Sequence, residues 1–185
     1  MAEKKQKQTF FTRLHECCGD DELRPLMQCV KFENGYAYAG NGMVAIKQTL
    51  ALCGVINPEN LDGKYLHKDS YKAIMSFEIA EANTDGVECW NENGQRVFFA
   101  YTEPPKDGNI DWESGMKKKK GLTGVTFIGF NPEQFAKLAK ALYAPGGNIR
   151  VQFTGIDTAM LVDVVGVDEQ EAIIMPYILN NTLFG

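Results

Sequence analysis

The chain has 185 residues, 44% hydrophobic and 23% charged, enough apolar material for the core of one large or two small domains. Its net charge of −5 argues against a generic nucleic-acid binder, although a local basic stripe still gathers phosphates on an acidic protein. No apolar run approaches a membrane span and residues 1–8 lack a signal-peptide core, so a cytoplasmic location without a membrane partner is expected.

Residues 1–8, rich in lysine and glutamine, read as loose or as a weak edge strand. From Thr9, a suitable N-cap, Phe10, Phe11, Leu14, Cys17 and Cys18 make an apolar helical face, with Arg13 on its flank and Gly19-Asp20-Asp21 as its end. Residues 23–32 follow, the later ones alternating as a strand. Asn34-Gly35 then predicts a tight hairpin, with Tyr36–Ala39 as the return. Gly40-Asn41-Gly42 turns the chain again into a third strand, Met43–Lys47, and residues 51–62 are a connector.

A second unit opens with a strand at Lys64–His67. Asp69 is placed to cap a helix over Ser70–Ser76, with Tyr71, Ile74 and Met75 on its apolar side and Lys68 and Lys72 on its flank. Strands follow at Phe77–Ala82, Gly86–Trp90 and Arg96–Thr102. The last is apolar at nearly every position, as a strand covered on both faces would be. Residues 103–123, with Pro104-Pro105, several glycines and the run Lys117, Lys118, Lys119 and Lys120, form the clearest linker. The lysine run suits either a solvated loop or a phosphate-contact patch.

The stretch Phe127–Leu179 reads as a strand, one amphipathic helix and three further strands. Asn131 suits the N-cap, Pro132 the first helical position and Gln134 the capping box. Phe135, Leu138, Ala139 and Leu142 share one helical face, and Lys137 and Lys140 lie opposite. Pro145-Gly146-Gly147 stops the helix, and Ile149, Val151 and Phe153 alternate as a half-buried strand. The final strand closes on Ile173-Ile174-Met175-Pro176.

Asn131-Pro132, Ile149-Arg150-Val151-Gln152-Phe153-Thr154-Gly155, the acidic Asp168-Glu169 and Ile173-Ile174-Met175-Pro176, in that order, resemble the C-terminal half-domain of bacterial sliding clamps, the beta subunit of DNA polymerase III. The first unit is similar too. It departs at the family's T-D-G-H-R turn, where this chain has Gly40-Asn41-Gly42-Met43-Val44, so a contact made by the usual histidine is lost. Asn109-Ile110-Asp111-Trp112 matches the family's F-P-D-(Y/W) joint between domains.

The resemblance implies an α+β, DNA-clamp-like fold of three units, each a helix with three to four antiparallel strands. Residues 1–103 would form a two-unit domain, 104–123 a linker and 124–185 a half-domain. Clamp rings usually hold twelve such units, so a ring of these chains would need about four copies and a homo-oligomer is expected.

It further implies duplex DNA as partner along Arg13, Lys68, Lys72, Lys137 and Lys140, with Lys117–Lys120 as the added patch. A DNA polymerase or repair protein would be held in a cleft at Gly42, Met43, Ile173, Met175 and Pro176. Core packing is the other reading of Ile173. The terminal Leu183-Phe184 resembles the end of peptides that such clefts bind.

Catalytic motifs are lacking: no G-x-S-x-G, Walker loop, H-E-x-x-H or C-x-x-C occurs. The five cysteines, an odd number without an export signal, read as free thiols. A zinc site from His15, Cys17, Cys18 and Cys29 lacks paired C-x-x-C spacing, and no cofactor is expected. The expected function is a non-catalytic processivity or recruitment factor. The alternatives are a clamp-fold interaction module that no longer encircles DNA, and a small enzyme using Cys17 or Cys18.

Overall fold

The computed structural model describes residues 9–104, 110–116, 128–144, 147–155 and 158–177. Asn34 and Gly35 adopt positive φ, 53° and 79°, as a two-residue hairpin turn demands. They join β1 (Cys29–Glu33) to β2 (Tyr36–Gly40), with Glu33 opposite Tyr36. β3 (Val44–Thr49) continues the meander, and β4 (Tyr65–His67) lies against the far side of β1.

Among the described residues three small α-helices and six more strands follow: α1 (Lys68–Ile74), β5 (Ile79–Ala82), β6 (Gly86–Trp90), β7 (Arg96–Ala100), α2 (Trp112–Gly115), α3 (Pro132–Ala141), β8 (Ile149–Gln152), β9 (Met160–Val164) and β10 (Val167–Ile174). The architecture is α+β with antiparallel sheets. Seven strands run in the order β4-β1-β2-β3-β10-β9-β8, and β5-β6-β7 form a second sheet.

The join within the larger sheet is between β3 and β10, where Ala172 faces Ile46 and Ile174 faces Val44. Residues beyond the linker are thus hydrogen-bonded into the same sheet as residues 29–49. Along this seam Gln48 and Gln170 are both buried; Gln170 Nε2 donates to Gln48 Oε1 at 3.5 Å, and Gln170 Oε1 accepts from the Tyr143 N–H at 2.9 Å. Two amides buried side by side in a core penalise any slip of the strands that would part them.

On the inner face of the sheet, Phe32, Ala39, Ile46, Ala172 and Ile174 join Leu138 and Ala141 of α3 in the main core. On the outer face, Tyr38, Ala45 and half-buried Ile173 meet Trp112 and Met116, so the linker returns as a strap over the seam. Asp111 starts it by accepting the Ser114 N–H at 2.9 Å. Gly40 is required beneath the indole, because a Cβ there would lie 2.7 Å from the Trp112 ring. Glu113 fastens the strap, taking hydrogen bonds from Tyr38 Oη at 2.5 Å and Lys47 Nζ at 2.8 Å. Burial first, and Glu113 second, push the Tyr38 hydroxyl pKa upward, which keeps it a donor.

Three sequence expectations change. The helix expected from Thr9 is one 3-10 turn, Leu14–Cys17, because Phe10 is extended by its bridge to Cys53 and stacks on Tyr71 with centroids 4.1 Å apart. Tertiary packing there overrides helical spacing. α1 begins before Asp69 and is capped by His67, whose Nδ1 accepts the Asp69 N–H at 3.3 Å. β7 is not covered on both faces, since Arg96, Phe98 and Ala100 are exposed on the side opposite Val97 and Phe99.

Sheet edges differ in how they end. Beside β4, the Thr102 N–H bonds Tyr65 O at 2.8 Å; beside β5, Ile56 exchanges bonds with Ala80 and Ala82 at 2.9 and 3.0 Å. Among the described residues, β7 and β8 pair on one side only. No helix of the described residues is long and apolar enough to cross a membrane.

Trp112→Ala removes a buried indole from the strap and leaves Gly40 uncovered. We expect the unfolding free energy in urea to fall by about 3 kcal/mol; a loss within the error of the wild-type measurement would show that the strap does not hold the seam.

Candidate functional site

The 3-10 turn Leu14–Cys17 lies between α1 and α3, packed against both. Arg13 leads into it, α1 carries Lys68 and Lys72, and α3 carries Lys137 and Lys140 one turn apart. Four of the five fall into two pairs, one near His15 and one near Asp20. Arg13 and Lys72 both depress the pKa of His15 in the turn, and Lys68 and Lys137 both lower that of Asp20 just after it. Arg13, Lys72 and Lys140 are exposed and Lys137 is half-buried.

Lys68 is placed differently from the rest. Its Nζ donates to Gly19 O at 2.9 Å and to the Asp20 carboxylate, so its charge is spent inside the layer. That hydrogen bond is the main reason the Asp20 carboxyl titrates below its ordinary value. Lys117, Lys118, Lys119 and Lys120 lie outside the described residues.

His15 is the central polar group of this layer. Its Nδ1 is buried without a hydrogen-bond partner among the described residues, and its Nε2 lies 3.8 Å from Glu16. Burial is the largest cause of its lowered pKa; Glu16 opposes the shift, and Lys72 and Arg13 add to it.

The second constellation sits at one end of the seam. Asn41 shapes the turn between β2 and β3: its Oδ1 accepts the N–H groups of Met43 at 2.9 Å and Val44 at 3.1 Å, while its Nδ2 donates to Gln134 Oε1 of α3 at 2.8 Å. Gly42 holds φ +89°, a conformation that excludes most side chains. The Met175 N–H then bonds Met43 O at 2.7 Å, so the chain just past β10 lies beside this turn.

Gly42, Met43, Ile173, Met175 and Pro176 are therefore brought together. Met43 and Met175 are 40% and 36% exposed, whereas Pro176 is buried and Ile173 packs against the strap cluster. Sequence reasoning missed two flanking aromatics, Tyr177 at 62% and Phe130 at 45% exposure. Tyr177 N–H bonds Gly129 O at 2.8 Å, and Phe130 lies 5.4 Å from Phe135 between ring centroids. The alternation Met175-x-Tyr177 was a usable signal for the first. Leu183 and Phe184 lie outside the described residues.

All five thiols are free and buried. Burial pushes Cys17, Cys53 and Cys89 up to about 12, and Cys18 and Cys29 upward as well. A cysteine nucleophile needs access and a lowered pKa, and these have neither. Among the described residues no group of three or more His, Cys, Asp or Glu side chains is placed to hold a metal ion.

No protein-family model matches the sequence, and no curated protein does. Solved structures do match. The DNA polymerase sliding clamp from Bacillus subtilis aligns with a TM-score of 0.64 at 13% identity, over 94% of this chain and 61% of that one. A sliding clamp from Pseudomonas aeruginosa gives 0.59 at 9%, over 92% and 65%. Caulobacter crescentus pol III beta gives 0.59 at 12%, over 91% and 62%. The fold is that of the sliding clamps, and the chain spans about three fifths to two thirds of their length.

Native protein in a thiol assay at mildly alkaline pH should show none of its five cysteines reacting on the time scale of minutes, and all five after denaturation. Rapid native labelling of Cys17 or Cys18 would revive the nucleophile reading.

Proposed function

We propose that this chain with a sliding-clamp fold is a non-catalytic accessory factor that lies on duplex DNA through its helical layer and tethers a replication or repair protein at its apolar end. The first half is supported by the packing of the turn between α1 and α3, the elements that carry Arg13 at the turn's start, Lys72, Lys137 and Lys140. Contacts from these side chains to phosphates neutralise charge without reading bases, so binding is salt-sensitive and blind to sequence. The net charge of −5 lets the rest of the surface repel DNA and leaves this layer to decide the orientation.

The second half rests on Met43, Met175, Tyr177 and Phe130, exposed apolar groups at one end of the seam. Methionines adapt to different partners because they are unbranched and polarisable. In this reading the division into a two-unit domain, a linker over 104–123 and a half-domain is kept, with copies of the chain supplying what the half-domain lacks. β7 and β8, which pair on one side only among the described residues, suit such self-association, since an open strand is a template for another.

A second reading is an interaction module that does not encircle DNA. It is favoured by Asp20, which neutralises Lys68 within the layer, and by the acidic Asp21 and Glu22 beside it.

Anisotropy titration of a duplex at two salt concentrations separates the two. On the first reading, binding weakens steeply with salt, and Arg13→Glu/Lys72→Glu/Lys140→Glu lowers affinity at least tenfold and flattens the salt slope. No binding at low salt rejects it in favour of the second.

Met175→Glu should abolish capture of a clamp-binding polymerase peptide while the circular dichroism spectrum stays that of the wild type. Unchanged capture would remove the apolar end from the function.

A further inference from the structure

We infer that His15 couples proton uptake to polyanion binding at the helical layer, so that the layer holds phosphates more tightly as the pH falls. The inference rests on the duplex-binding reading above and adds its regulation. The imidazole stands between groups of both signs. From its own turn come Arg13 and Glu16, the latter 3.8 Å from Nε2. From α1 come Lys72, Asp69 and the ring of Tyr71, whose centroid lies 6.0 Å away. From α3, Lys137 faces Cys17 and Asp20 instead. The strands packed on the turn supply apolar groups such as Phe32, Ala39 and Ile46 to the core that Leu14 and Cys17 share.

Within this setting a proton on Nδ1 gains no hydrogen bond, since that atom is buried without a partner among the described residues. The proton also meets the repulsion of Arg13 and Lys72. Both facts favour the neutral imidazole at neutral pH, in line with the lowered pKa that burial chiefly causes. A phosphate held by Arg13 and Lys72 offsets the repulsion of those two cations. The bound state then takes a proton more readily than the free state.

The sign follows from linkage. The complex holds more protons than the free protein, so affinity rises as the pH falls into the imidazole range and is flat above it. Each unit by which the bound phosphate raises the imidazole pKa corresponds to about a tenfold gain in affinity at low pH.

The test uses the full chain and a short fluorescent duplex at constant ionic strength. Affinity is measured near pH 7.5 and near pH 5.5, the span over which a histidine titrates. NMR follows the His15 and His67 ring protons with and without duplex. We expect severalfold tighter binding at the lower pH, an upward move of the His15 titration on binding, and loss of most of the gain in His15→Gln.

A His15 titration that the duplex leaves in place would overturn the inference, a result that needs no variant to fold. An undiminished gain in a folded His15→Gln protein would do so as well. A duplex bound at neither pH would overturn the reading of the face itself, and with it this one.

Discussion

The antiparallel pairing of β3 with β10 is the contact on which the rest of the molecule depends. It makes one sheet from segments more than a hundred residues apart in the chain. On its inner side that sheet seats α3 beside the Leu14–Cys17 turn. At one end it lays Met175 beside Met43, and on its outer side it offers Tyr38, Ala45 and Ile173 as a floor for the strap. Both candidate surfaces thus follow from one register, which the buried Gln48–Gln170 pair helps to fix.

The two surfaces use opposite physics. In the proposed function the helical layer works through charges at its solvent side, where salt and nearby carboxylates set how much of each cation is available. Lys68 illustrates the point, for a lysine at a promising position is silenced by Asp20 and the Gly19 carbonyl. In the proposed function the seam end works through apolar area, with methionines that yield to a partner beside the turn of Gly42.

Legibility in the sequence followed how local each cause was. The Asn34-Gly35 turn and the capped start of α3 are set by residues within a few positions of each other, and both were readable. So was the closing strand, because the order of Asn131-Pro132 to Met175-Pro176 resembles a known half-domain. The shortened first helix was not readable, since it is overruled by Tyr71 and Cys53, far along the chain. The docking of Trp112 over Gly40 also escaped notice, because a glycine chosen for a close approach looks in sequence like any turn glycine. The neutralised Lys68 needed the position of Asp20 in space.

One consequence of the seam concerns the time before the chain is complete. Gln48 and Gln170 are 122 positions apart, so β3 is made long before its partner exists. Until the C-terminal segment emerges, the first meander ends in a strand whose outer N–H and C=O groups have no mate. Such an edge is open to pairing with other chains. Contacts this distant also slow folding, because loop closure must precede the strand pairing that rewards it. A chain cut short before residue 167 would therefore expose the Val44–Thr49 edge permanently, and its fate would be decided by aggregation rather than by the stability of the finished fold.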